Sequence, residues 1–92
     1  MLFRSIALDA RISGLIGRIE KARFSTTRLS AGYDEEEVDI FLDKLIAVLS
    51  EGGQPDQGEL RSARFTATRL RPGYAMQDVN SFLHEIAGAT LV

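Results

Sequence analysis

The sequence predicts a mainly α domain, a small tandem-repeat unit in which each repeat supplies a short helix, an extended segment, a Gly-Tyr turn and an amphipathic helix. The two repeats are expected to pack as a pseudo-twofold, with room for a short β ribbon. Three observations carry this. Ala22-Arg23-Phe24, Thr27-Arg28-Leu29, Gly32-Tyr33, Val38 and Phe41-Leu42 return as Ala63-Arg64-Phe65, Thr68-Arg69-Leu70, Gly73-Tyr74, Val79 and Phe82-Leu83, eleven identities at one offset of 41 residues. Apolar residues recur at helical spacing around the repeated segments. With 92 residues, 45% apolar and 26% charged, the chain has the length of one small domain and the composition of an ordinary globular one. Repeat 1 is placed at 15–50, a linker at 51–58 and repeat 2 at 59–88.

Phe3, Ile6, Ala10, Ile12, Leu15, Ile16 and Ile19 share one helical face, with Arg4, Arg11 and Arg18 seven apart on another. Residues 3–23 thus read as an amphipathic helix; Gly14 and Gly17 each cost about 1 kcal/mol relative to alanine, so the alternative is a break near them that leaves a short helix from Leu15 to Ala22. Its counterpart is Glu59 to Ala63. Phe24–Leu29 and Phe65–Leu70 carry Ser, Thr and Arg without a helical stripe and read as extended. Ser30-Ala31-Gly32 and Arg71-Pro72-Gly73 read as turns in which glycine takes positive φ.

A helix follows each turn. Asp34 stands as N-cap with Glu37 three residues on, a capping-box pair, and Glu35 and Glu36 favour the positive end of the dipole. Val38, Phe41, Leu42, Leu45, Ile46 and Leu49 form its apolar stripe, which ends at Gly52-Gly53 before Pro55. The second stripe is Val79, Phe82, Leu83 and Ile86, with Ala75 where the capping aspartate would stand and Gly88 near the end, so this helix is expected to fray more readily. These two stripes with Phe24 and Phe65 are too few for a whole core. The amino-terminal helix must pack on them, or a second chain must.

Composition excludes several classes of function. There is no cysteine, hence no disulfide or thiolate metal site. Asp9 and Arg11 interrupt what a signal peptide would keep apolar, and no apolar run approaches the roughly 20 residues of a spanning helix. The chain is expected in the cytoplasm, with membrane association open. Catalytic, cofactor-binding and metal-ligating residues are all expected to be absent: His84 is the one histidine, and Asp34, Glu35, Glu36, Glu37 and Asp39 point in different directions around a helix rather than at one ion. Nucleic acid is an unfavourable partner at a net charge of -2 with no basic recognition motif.

The duplicated Arg28, Leu29 and Tyr33 with Arg69, Leu70 and Tyr74 form the candidate interaction surface. Two readings of the arginines stand side by side: a hydrogen bond to a helix end or acidic side chain of the other copy, or contact with lipid phosphate or an acidic partner. The tyrosines read as packing residues with a polar partner at the hydroxyl. Phe3, Arg4, Arg11 and Arg18 form a candidate membrane face, against the alternative that the same helix is needed for the core.

The segments from Phe24 to Asp43 and from Phe65 to Leu83 share a motif of Phe, a spacer, Gly-Tyr, then Val-Asp/Asn and Phe-Leu on a helix. This resembles the amino-terminal module of the DivIVA family, and more closely the tandem short DivIVA-type repeats of actinobacterial proteins. The resemblance implies a cytoplasmic scaffold at cell poles and septa, in which the module binds membrane and a coiled coil drives assembly. Where that family carries a lipid-inserting Phe-Arg pair before Gly-Tyr, this chain has Ser30-Ala31 and Arg71-Pro72, and no heptad run extends past Leu49 or Ile86. The expected function is a non-enzymatic scaffold or protein-interaction module linked to cell division or polar growth. The alternative is a peripheral membrane binder using the basic amino-terminal helix. The family's module is a dimer, so the two copies are expected either to fold on each other as an intramolecular pseudo-dimer or to form a homodimer.

Overall fold

A computed structural model describes the backbone of residues 2–90 and the side chains of residues 10–90. The elements in chain order are α1 (Leu2–Lys21), β1 (Thr26–Thr27), β2 (Gly32–Tyr33), α2 (Glu35–Ser50), α3 (Gln57–Ser62), β3 (Ala67–Thr68), β4 (Gly73–Tyr74) and α4 (Met76–Thr90). The fold is mainly helical with a small four-stranded antiparallel sheet, as the sequence predicts.

Helix α1 runs unbroken through Gly14 and Gly17, as one amphipathic helix and without the alternative break. Ile12, Leu15 and Ile16 pack against the core and Ile19 is buried within it, which outweighs the intrinsic cost of two glycines. Helix α2 starts where expected: the Asp34 carboxylate accepts the Glu37 N–H at 3.1 Å. The reciprocal half of the capping box is different, because the Glu37 carboxylate accepts the N–H of Thr66 in the other copy at 2.9 Å. Helix α2 ends at Gly52 with φ +81°, and the bonds Gly52 N–H to Leu49 O (3.1 Å) and Gly53 N–H to Val48 O (2.9 Å) complete a Schellman stop.

Helix α3 begins at Gln57, inside the stretch 51–58 expected as linker, because the Asp56 carboxylate caps it by accepting the Glu59 N–H at 2.9 Å. Helix α4 continues through Gly88 to Thr90. The buried Thr90 hydroxyl donates to Ile86 O at 2.9 Å and accepts from Gln57 Nε2 at 3.0 Å, which ties the last turn of α4 to the first turn of α3.

The strand order is β1-β4-β2-β3, so each copy's first strand pairs with the other copy's second strand. Thr26 faces Tyr74 and Thr27 faces Gly73, while Ala67 faces Tyr33 and Thr68 faces Gly32. The two Gly-Tyr strands meet at the centre with Tyr33 opposite Tyr74, equivalent positions of the duplication, and the pseudo-twofold axis passes between them. The copies are therefore intertwined rather than stacked.

Gly32 and Gly73 lie in these central strands, and among the described residues only Gly52 has positive φ, which corrects the turn expectation. Their reason is proximity. A Cβ on Gly32 would lie 2.9 Å from Tyr74 O, and one on Gly73 would lie 2.7 Å from Tyr33 O, so only glycine lets the two backbones cross.

Contacts across the axis come in matched pairs. Asp34 N–H donates to Thr66 O and Ala75 N–H to Ser25 O, both at 2.8 Å. Thr66 N–H reaches the Glu37 carboxylate, and Ser25 N–H reaches that of Asp78 at 3.0 Å. Phe24 packs on Tyr74 and Phe82, as Phe65 packs on Tyr33 and Phe41, with ring centroids 5.1–5.6 Å apart. Beneath the sheet, Val38 and Val79 are fully buried with Leu83 and Ile86, and Ile19 of α1 and Leu60 of α3 close the core at equivalent positions. The amino-terminal helix thus supplies the core surface that the stripes alone lacked.

Candidate functional site

The loops 28–31 and 69–72 join the strands of each copy. Thr27 faces Gly73 and Thr68 faces Gly32, so each loop leaves the sheet beside the point where the other returns. At their tips Leu29 and Leu70 are wholly exposed. Arg28 and Arg69 are exposed beside them, with no hydrogen-bond or ion-pair partner among the described residues. The first reading of these arginines, a bond to the other copy's helix end, does not apply to them.

Arg71 makes that bond instead: its guanidinium pairs with the carboxylate of Asp34, the cap of α2 in the other copy. The signal was present in the sequence, where Arg71 replaces Ser30 of the first copy and Asp34 is replaced by Ala75 in the second. The cation and its acid therefore occur at one crossing of the two. The Glu37 N–H donated to it holds the Asp34 carboxyl below its ordinary pKa, and the Arg71 guanidinium adds to this against the opposing effect of burial.

The two tyrosines are packing residues with a polar partner at the hydroxyl, as the sequence reads, and this takes them out of the candidate surface. Tyr33 is 3% exposed and Tyr74 is half-buried. The Tyr33 hydroxyl donates to Asn80 Oδ1 and the Tyr74 hydroxyl to Asp39 Oδ1, each at 2.9 Å and each on the other copy's helix. They are fasteners between the copies, and the surface contracts to the Arg-Leu tips. Burial, the Asp39 hydrogen bond and the negative charges of Asp39 and Glu35 push the Tyr74 phenol up to about 12.

That negative field belongs to a groove of about 740 Å³ between the end of α1 and α2. Phe24, Leu42 and Ile46 supply apolar wall, and Glu20, Glu35 and Asp43 stand along it. Arg23 also lines the groove, but its guanidinium donates to the carbonyl of Ala22 at 2.9 Å and to that of Glu20 at 3.5 Å.

Of the candidate membrane face, the side chains of Phe3 and Arg4 lie outside the described residues. Arg11 is exposed, and Arg18 pairs with Glu85 of α4. From Ile12 onward the apolar side of α1 packs on the core, so along its described part this face is not available to lipid. His84 is exposed on α4. The acidic run is used in three directions: Asp34 caps α2, Glu37 meets Thr66 and Asp39 meets Tyr74. Among the described residues no cluster of three or more metal-ligating side chains occurs, and no helix is long and apolar enough to cross a membrane. Comparison of the chain with protein families, with curated proteins and with solved structures found no match.

Proposed function

We infer that the chain is a non-enzymatic docking module, a scaffold element of the kind implied by its likeness to DivIVA-type repeats and linked through that likeness to cell division or polar growth. The observation that carries the docking role is the pair of Arg-Leu tips. A single exposed leucine is ordinary on a protein surface. Here the same leucine is wholly exposed at both tips of a duplicated loop, each beside an arginine without a partner among the described residues, on loops that leave the crossed strands. An apolar side chain next to a guanidinium suits a partner that offers an apolar recess bordered by acid.

The second reading is an anionic membrane surface, which takes the same two groups, leucine into the interface and arginine against phosphate. Its natural contact is the tips rather than α1, whose described apolar side is occupied by the core. Flotation with neutral and anionic vesicles, run beside capture of partners on immobilised protein, tests both readings. The Leu29→Asp/Leu70→Asp variant should lose whichever binding the native chain shows while keeping its circular dichroism. Binding that survives in this variant would show the tips to be bystanders.

A further inference from the structure

We propose that the groove between α1 and α2 receives an Arg-Leu tip of a second copy of this chain, so that the module associates head to tail. The inference rests on the tips being the docking surface, and it names their partner.

Comparison of the two copies singles out the groove. Its carboxylates Glu20, Glu35 and Asp43, with Asp39 bound to Tyr74, are replaced at the equivalent positions of the second copy by Arg61, Met76, His84 and Asn80. The fastening contacts of the fold are matched across the pseudo-twofold, yet this face has four acids in one copy and none in the other. Apart from Asp39, which holds Tyr74, these acids are free of partners: Glu20, Glu35 and Asp43 make no hydrogen bond or ion pair through their carboxylates among the described residues. Phe24 and Ile46 beneath them remain half-buried.

What fits such a site is a cation carrying one apolar side chain on a protruding loop. The chain itself presents that group twice, as Arg28-Leu29 and Arg69-Leu70, both exposed and without a partner among the described residues. Leucine meets Phe24 and Ile46, and arginine meets the carboxylates along the edge. Tip and groove are different surfaces, so the contact is heterologous, and repetition gives an open chain or a closed ring according to the rotation between copies. The contact is small compared with the ~1,600 Å² of a standard interface, so association is weak and concentration-dependent.

The test is sedimentation velocity of the full chain over a range of concentrations at low and high salt, with two variants. Leu29→Asp/Leu70→Asp removes the tips, and Glu20→Lys/Asp43→Lys inverts the groove. The native chain should gain mass with concentration, and raising salt from about 0.05 to about 0.5 M should weaken this roughly tenfold. Each variant alone should remain monomeric. An equimolar mixture of the two should form 1:1 dimers and nothing larger than a trimer, because the groove variant keeps two tips and the tip variant one groove. A native chain that stays monomeric at every concentration overturns the proposal, as does a mixture that does not associate. If the groove variant self-associates while the tip variant does not, the tips dock elsewhere: the docking role stands and this partner assignment falls. If the tip variant self-associates like the native chain, the tips are not the contact and both fall.

Discussion

The same substitution, glycine to alanine, should have opposite signs at two places in this chain. At Gly14 and Gly17 in α1 an added Cβ meets nothing within 4 Å, so alanine should stabilise the helix by about 0.5–1 kcal/mol at each site. At the strand crossing a Cβ on Gly73 would sit 2.7 Å from Tyr33 O, and one on Gly32 2.9 Å from Tyr74 O, several tenths of an ångström inside contact and against backbone that cannot swing aside. Relief requires the central strands to move apart, and that motion stretches the paired bonds of Ser25, Asp34, Thr66 and Ala75. Overpacking of this kind costs about 1–3 kcal/mol. A 92-residue domain has a total stability of about 5–14 kcal/mol, so one such change removes a sizeable share. Both clashes occupy one crossing, so Gly32→Ala/Gly73→Ala should lose less than the sum of the singles. Urea unfolding followed by circular dichroism, with the m-value checked for constancy, measures the native chain and all five variants. A Gly73→Ala protein as stable as the native chain, or one stabilised like Gly17→Ala, would refute the crossing as the reason for these glycines.

Other outcomes follow from the same contacts. The Tyr74 phenol is pushed up to about 12 from an ordinary 10.0, so its neutral form is favoured by folding. Its contribution is complete below pH 10 and is lost as pH rises through about 12, which alkaline unfolding monitored by phenolate absorbance should show and Tyr74→Phe should remove. The Asp34 carboxyl is held below its ordinary 3.8, so its contribution is present above that pH and is lost as pH falls beneath it. Arg71→Ser, which installs the residue of the first copy, should move the Asp34 titration upward in a carboxyl-detected NMR experiment. Tyr33→Phe should cost about 1–2 kcal/mol in chemical unfolding by leaving Asn80 Oδ1 without its donor in a part-buried site. Asp56→Ala should cost about 1 kcal/mol by uncapping α3, and hydrogen exchange should quicken at Glu59 before it does in α2.

How far the chain could be read from its residues alone depended on the range of the forces involved. The α2 boundaries were legible because both are local chemistry: an aspartate side chain reaches an N–H three residues away, and a glycine at positive φ ends the helix a few residues after the last apolar position. The duplication was legible because one offset relates all eleven identities. The cap of α3 was missed because Asp56 follows Pro55 and two glycines, which read together as linker. The sequence left open whether α1 breaks at its glycines because glycine propensity is local, whereas the burial of Ile19 and the packing of Ile12, Leu15 and Ile16 are tertiary. In the candidate site, Arg28, Leu29, Arg69 and Leu70 stood where the duplicated motif indicated, while the two tyrosines turned inward to opposite helices.

The sequence by itself determined that there are two copies of one unit, where α2 begins and ends, and which face of each repeat's long helix is apolar, since all of these are set by neighbours within a turn or two. Only the tertiary structure decided which strand pairs with which. A four-residue loop can also close a hairpin within one copy, and the residues flanking it are nearly the same in both, so local chemistry does not distinguish pairing within a copy from pairing between them. The exchange is settled by partners distant in sequence: Ser25 on Asp78, Thr66 on Glu37, Tyr33 on Asn80 and Tyr74 on Asp39. Each carries a polar group of one copy to the helix of the other. These bonds form only when the two glycine strands lie against each other, and that is a property of the assembled fold rather than of any segment in it.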